Sequence, residues 1–76
     1  MKILLVTYEF KGLPTQYTEL FNTLKTAPYW WHYLENTWLL ATNESPEVWY
    51  AKLQEKLARE DFILIIEVKS NYYGFL

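Results

Sequence analysis

Residues 29–42, YWWHYLENTWLLAT, constrain the fold of this chain more than any other segment. Aromatic and β-branched residues dominate it, and such residues favour the half-buried surface of a pleated sheet. Glu35 and Asn36 interrupt the segment in its middle, and asparagine is common in turns because it tolerates left-handed backbone angles. The segment therefore predicts two strands that fold against each other as a hairpin.

Two further strands are predicted near the ends of the chain. Residues 3–8 (ILLVTY) and 62–68 (FILIIEV) are short and almost continuously apolar. Such runs are typical of strands in the middle of a sheet, because both of their faces are covered.

Two amphipathic helices are predicted from the spacing of apolar residues. The first begins near Pro14 and ends before Pro28, since a residue that precedes a proline is steered away from helical angles. The second begins with Ser45 as its N-cap and Pro46 at its first helical position. Their apolar stripes consist of Tyr17, Leu20, Phe21 and Leu24 and of Trp49, Leu53 and Leu57.

The order of elements is strand, helix, strand, strand, helix, strand. With right-handed crossovers, this order predicts an α+β fold, a ferredoxin-like βαββαβ sandwich. We expect a four-stranded antiparallel sheet with two helices on one face and the first and last strands in its centre. The absence of repeats and linkers predicts a single domain over residues 1–76.

Composition excludes several kinds of site. The chain has no cysteine and one histidine, which excludes disulfides, thiolate zinc sites and multi-histidine metal clusters. The apolar run after Lys2 is far shorter than a membrane span or a signal-peptide core, so we expect a soluble, cytoplasmic protein without a membrane partner. A net charge of −2 is unlike that of a tight nucleic-acid binder.

Both alternating sets of side chains along the predicted strands are apolar, although helices cover only one face of such a sheet. In the first hairpin strand, for example, Trp30 and Leu34 are expected on one side and Tyr29, Trp31 and Tyr33 on the other. Since large exposed apolar patches mark interaction surfaces, we predict a homodimer that buries the uncovered face. The predicted dimer-interface residues are Trp31, Tyr33, Trp38, Tyr72, Tyr73 and Phe75. The hairpin aromatics have an alternative interpretation as a platform for base stacking.

Three short motifs suggest a family. Residues 7–9 (Thr-Tyr-Glu) end the first strand, residues 36–39 (Asn-Thr-Trp-Leu) begin the second hairpin strand, and Glu60-Asp61 precedes the last strand. Together they resemble the small Cas-two and VapD-like ferredoxin-fold proteins. The Trp-Trp-His-Tyr-Leu run and the aromatic-Gly-aromatic-Leu end resemble the SinR-like branch of that family.

The resemblance implies dimers that form through the sheets and, in some members, a metal-dependent nuclease acting on RNA or DNA. In those proteins an acidic residue at the end of the first strand, normally aspartate, meets its two-fold mate and holds a divalent metal. Glu9 occupies the matching position here, and Thr37 stands where such proteins often have serine. The resemblance therefore implies Glu9 and Thr37 as catalytic residues and Glu9 as a ligand of Mg²⁺.

Each of these residues also has a structural interpretation. Glu9 is either a metal ligand or a solvated residue at a strand end, and Lys11 beside Gly12 is either a phosphate contact or ordinary loop sequence. His32 is either a general base or a packed structural histidine. Two functions follow: a Cas-two-like nucleic-acid-associated protein that acts as a metal-dependent endonuclease, or a non-catalytic dimeric module for protein interaction or regulation.

Overall fold

The computed structural model describes residues 1–69 of the 76-residue chain. They form a four-stranded antiparallel sheet with two helices, an α+β arrangement compatible with a ferredoxin-like sandwich. In chain order the elements are β1 (Lys2–Glu9), α1 (Thr18–Leu24), β2 (Tyr29–Leu34), β3 (Thr37–Thr42), α2 (Pro46–Gln54) and β4 (Phe62–Val68). Within these 69 residues no helix is long and apolar enough to cross a lipid bilayer.

The strands lie in the order β2-β3-β1-β4. β1 pairs antiparallel with β3 on one side and with β4 on the other. The prediction that the first and last strands form the centre is therefore wrong for β4, which is an edge strand, and β3 takes the second central place. The apolar sequence of β4 does not reflect burial on both of its faces. Alternate residues such as Phe62 and Leu64 are 67% and 55% exposed on the uncovered side of the sheet.

One face of the sheet, the core face, packs against both helices. Leu4 and Val6 of β1 and Trp38 and Leu40 of β3 alternate onto this face and are almost completely buried. The helices and the turn before α1 complete this hydrophobic cluster with Tyr17, Leu20, Leu24, Trp49 and Leu53.

The opposite side of the sheet, the open face, has no helix against it in the described part of the chain. Its residues alternate with those of the core face along the strands, except in β2, where the neighbours Tyr33 and Leu34 both lie on the open face. They are Ile3, Leu5, Thr7, Glu9, Tyr29, Trp31, Tyr33, Leu34, Thr37, Leu39, Ala41, Phe62, Leu64, Ile66 and Val68.

Both predicted helices are present, and both differ from the prediction at one end. The segment after Pro14 starts as a 3₁₀ turn (Pro14–Tyr17) and becomes α-helical only at Thr18. Ser45 is the N-cap of α2 as predicted, and its hydroxyl accepts a hydrogen bond of 3.3 Å from the Val48 amide. α2 ends at Gln54, where hydrogen bonds between residues three apart tighten the chain, so Leu57 packs against the core from beyond the helix.

The hairpin turns at Glu35 and Asn36 as predicted, but β2 is irregular. Its register with β3 shifts between Trp31 and Leu34, so that Leu34 lies opposite Thr37. This β-bulge moves Leu34 to the open face, which corrects the prediction that Leu34 shares a side with Trp30.

The two faces predict different costs for neighbouring substitutions. Leu4→Ala removes a side chain that is 0% exposed, and we expect it to lower the free energy of unfolding by about 2–5 kcal/mol because it leaves a cavity. Leu5→Ala, the matched control on the open face, should cost clearly less at low protein concentration. Urea unfolding followed by tryptophan fluorescence measures both variants, and equal losses would contradict the assignment of the faces.

Candidate functional site

Glu9 lies at the last position of β1, on the rim of the open face. Its side chain is 71% exposed, and Oε1 lies 3.7 Å from the Lys11 ammonium. A hollow of about 370 Å³ adjoins it, lined by Thr7, Tyr8, Glu9, Phe62, Ile63 and Leu64. Exposed ion pairs of this kind contribute little to stability, so Glu9 is free to contact a molecule that binds at the rim.

Thr37 shares the open face with Glu9 but not its immediate surroundings. It lies opposite Thr7, and the two hydroxyl oxygens are 3.2 Å apart. Thr7 also donates a hydrogen bond of 3.2 Å to the Asn36 carbonyl. Because Glu9 follows Thr7 by two residues, it is displaced from the threonine pair by about 7 Å along the strand. Thr37 is therefore hydrogen-bonded to Thr7, whereas Glu9 forms an ion pair with Lys11.

The loop after β1 uses its amides within the chain. Lys11 donates its N–H to Asp61 at 2.9 Å, and Gly12 donates its N–H to the Tyr17 hydroxyl at 3.0 Å. A Cβ at Gly12 would collide with the Gln16 side chain and lie 2.9 Å from the Tyr17 hydroxyl, so glycine permits this close approach. A phosphate at this loop would therefore meet the ammonium of Lys11 and not a cradle of unused amides.

Asp61 is the polar centre that fixes this loop. Its carboxylate accepts the Lys11 amide and the Tyr17 hydroxyl, both at 2.9 Å, and the Ala58 amide at 2.7 Å. These three bonds tie the end of β1, the turn before α1 and the chain before β4 together. The position of Lys11, and through it that of the Glu9 ion pair, thus depends on a carboxylate fifty residues away in sequence.

The hydrogen bonds also set the acidity of this cluster. Burial acts to raise the pKa of Asp61, but the amides of Lys11 and Ala58 and the Tyr17 hydroxyl outweigh it and hold the pKa below 3.8. Burial raises the pKa of Tyr17 above 10.0, opposed by the Gly12 amide and reinforced by the Asp61 charge. Asp61 is therefore ionised and Tyr17 is neutral at pH 7.

The residues of one copy do not fit a Mg²⁺ site. Magnesium prefers several oxygen ligands in octahedral geometry, whereas Glu9 is a single carboxylate with a lysine beside it. No group of three or more His, Cys, Asp or Glu side chains able to hold a metal occurs among residues 1–69. A metal here would need ligands from another molecule.

The predicted dimer-interface residues fall into three groups. Trp31 and Tyr33 lie on the open face with their rings 5.3 Å apart, and Tyr33 is 80% exposed. Trp38 is only 1% exposed and faces the helices, so its assignment to the interface is wrong. Its position in the strand alternation places it on the core face beside Leu40. Tyr72, Tyr73 and Phe75 lie outside the described residues.

Trp38 is instead the centre of an aromatic cluster. Its indole Nε1 donates a hydrogen bond of 3.0 Å to the Tyr8 hydroxyl, and the His32 ring stacks on it at 4.0 Å. Burial raises the pKa of Tyr8, partly offset by this bond, so the phenol is neutral at pH 7. His32 Nε2 lies 3.3 Å from the Glu35 carbonyl oxygen. This is the geometry of a packed structural histidine.

Comparison with family models, with curated proteins and with solved structures gives no match for this chain.

Sequence reasoning missed two features of this site. Asp61 entered only as part of a motif, because nothing local shows that its carboxylate meets Tyr17 and Lys11. The cation near Trp30 was also missed: the ammonium of Lys25 lies 5.6 Å from that ring. The contacts of Asp61 join residues far apart in sequence, and that of Lys25 depends on where α1 ends. The spacing of residues in the sequence therefore does not predict either contact.

The Asp61 contacts predict acid sensitivity. Because its folded pKa lies below the ordinary 3.8, the carboxylate stabilises the fold above that pH, and this contribution is lost as the pH falls through the folded pKa. Asp61→Ala should lower the free energy of unfolding by about 1–2 kcal/mol at pH 7, a value limited by partial exposure. The difference from wild type should shrink towards pH 3.

Urea unfolding at pH 7, 5 and 3 measures this effect, with Glu60→Ala as the control at the neighbouring exposed carboxylate. A difference between wild type and Asp61→Ala that stays constant over the whole range would contradict the assigned role of the charge.

Proposed function

We propose that this chain is a non-catalytic interaction module that pairs with a second copy of itself through the open face. The observation that carries the proposal is the composition of that face. Leu5 and Leu39 lie at its centre, and large exposed side chains such as Tyr33, Phe62 and Leu64 flank them. When one face of a sheet is exposed to water, the residues on that face are ordinarily polar and alternate along each strand with apolar residues of the buried face. Most residues of the open face are instead apolar.

The open face is as large as the largest apolar patches of ordinary monomers. Four strands of about six residues, spaced about 4.8 Å apart, give a footprint of roughly 400 Å². Apolar patches of about 300–600 Å² are the largest on ordinary monomers, and they are often functional.

The distribution of charge favours a second copy as the partner. Among residues 1–69, Glu9 is the one charged residue of the open face, and it lies on the rim with Lys11 of opposite charge beside it. A two-fold axis brings identical surfaces together. The apolar centre is then self-complementary, and the rim offers both signs of charge for contacts between copies.

A charge at the centre of the open face tests the proposal. We expect Leu39→Glu to raise the dimer dissociation constant at least about tenfold, because the interface would bury an unpaired carboxylate. Tyr50→Glu, on the exposed side of α2, is the matched control and should leave the dimer unchanged. Sedimentation velocity over a concentration series measures both, with circular dichroism to confirm folding; a monomeric wild type would overturn the proposal.

The nucleic-acid function remains a second candidate because of one observation. Glu9 is exposed at the rim of the surface through which copies would pair, so two carboxylates and two Lys11 ammonium groups would share one assembly. The resemblance to Cas-two-like proteins supplies the nuclease idea, and the Lys25 contact with Trp30 adds a cation beside an exposed aromatic ring. The lone carboxylate of each copy and the net charge of −2 weigh against it.

A cleavage assay separates the two functions. Single- and double-stranded RNA and DNA are incubated with wild type and Glu9→Ala, in Mg²⁺ or Mn²⁺ and in chelator. The interaction module predicts no cleavage in any of these reactions. Cleavage that needs the metal and disappears in Glu9→Ala, while the dimer persists, would establish the nuclease instead.

The finer assignments made from sequence stay predictions. They are the ferredoxin-like family of folds, the single domain over residues 1–76 and a cytoplasmic location. The interaction function depends on none of them, since it needs only the open face and a second copy.

A further inference from the structure

The outer edge of β4 is a second surface suited to association. β4 pairs with β1 from Phe62 to Val68 without a bulge, a proline or a glycine. No strand of residues 1–69 pairs with its other side. Long, regular, apolar edges of this kind present unpaired backbone groups that accept another strand.

The opposite edge of the sheet lacks these properties. β2 follows Pro28 and carries the bulge between Trp31 and Leu34. Bulges twist an edge strand away from regular pairing. Of the two edges that the sheet has in the described part of the chain, only that of β4 is regular over its whole length.

The hydrogen bonding of β1 shows which groups of β4 point outward. The Tyr8 amide bonds to the Asn36 carbonyl, so the backbone of Tyr8 points towards β3 and that of Thr7 points towards β4. Thr7 lies opposite Leu64, which therefore directs its N–H and C=O inward to β1. By alternation, the backbone groups of Ile63, Ile65 and Glu67 point outward.

We propose that this edge pairs antiparallel with β4 of another copy, about a two-fold axis at Ile65. Ile65 then faces Ile65 of the second copy, and Ile63 faces Glu67. All three outward residues exchange both of their backbone hydrogen bonds with the other copy. In this register, even-numbered residues of one β4 lie opposite even-numbered residues of the other, and the even-numbered residues of β4 belong to the open face. The two open faces therefore merge into one continuous surface.

Charge selects this register over its neighbours. An axis at Leu64 would set Asp61 against Glu67 of the other copy, and like charges directly opposite are destabilising. An axis at Ile66 would make the two Glu67 side chains diagonal neighbours. The axis at Ile65 avoids both, and each Glu67 keeps the ion pair of 2.9 Å with Lys69 of its own chain.

The edge contact is independent of the interface proposed for the open face, because it uses backbone groups at the sheet margin and not the side chains of Leu5 and Leu39. It also enlarges that interface: two merged open faces have a footprint of roughly 800 Å². A single strand pair is a small contact, so we expect it to form at higher protein concentration than face pairing does.

Cysteine pairs test the register directly, because the natural chain contains no cysteine. Leu64 and Ile66 are 55% and 46% exposed, so Leu64→Cys and Ile66→Cys should both fold. The proposed register sets residue 64 about 4.5 Å from residue 66 of the other copy, a distance that a disulfide can bridge.

A mixture of the two variants should therefore cross-link under mild oxidation, in up to about half of the pairs because random mixing makes half of them mixed. Each variant alone should not cross-link, nor should Phe62→Cys. The experiment is repeated with Leu39→Glu added to each chain, so that face pairing cannot bring the cysteines together. Cross-linking that persists there supports edge pairing, and equal cross-linking in all samples overturns the register.

A backbone variant gives the second test. Glu67→Pro removes one outward N–H and leaves every bond to β1 in place, whereas Glu67→Ala removes only the side chain. In the Leu39→Glu background we expect sedimentation equilibrium to show residual dimer for Glu67→Ala and at least a tenfold weaker association for Glu67→Pro.

The outcomes are separable from those of the face proposal. Loss of face pairing with persistent edge cross-links overturns only the proposed function. Absence of the mixed cross-link overturns the edge proposal whatever the state of the open face.

Discussion

The position of β1 is the constraint on which the rest of the structure depends. This strand is hydrogen-bonded along both of its edges, to β3 and to β4, so every other element is placed relative to it. Its core-facing residues Leu4, Val6 and Tyr8 pack in one cluster with residues of both helices. The Tyr8 hydroxyl also accepts a hydrogen bond from the indole N–H of Trp38. The loop that leaves its end carries Lys11, whose amide is held by Asp61. Fold and candidate site thus share one strand.

The two short helices cover only one of the two faces of the sheet. α1 and α2 have seven and nine residues, enough for one face of four strands and no more. A small domain buries a limited share of its surface, so an apolar second face is a large fraction of what remains to be covered. The composition of β4 therefore has consequences beyond its own pairing. Its exposed Phe62, Leu64 and Ile66 belong both to the open face and to the one regular edge that the sheet has within residues 1–69.

Local signals made the elements predictable from sequence. The turn at Glu35 and Asn36, the N-cap at Ser45 and the run of β4 depend on neighbouring residues, and each lies where the sequence places it. Position within the sheet was not predictable in the same way. An apolar run indicates that both sides of a strand are apolar, but it does not distinguish a central strand from an edge with an exposed face. For the same reason Trp38 was assigned to an interface, since its face depends on its register with β1.

The candidate site was predicted only as a set of residues. The structure shows that Glu9 and Thr37 share a face without sharing contacts, and it adds Asp61, which no local pattern identifies. The bulge in β2 has a further consequence for this small apolar protein. A sheet with two regular margins can add copies at both ends and grow into a fibre, whereas a sheet with one can join once and then stops. In the proposed edge pairing, the irregularity between Trp31 and Leu34 leaves the β2 edge unsuited to the same contact, so that the extended sheet stops at two copies.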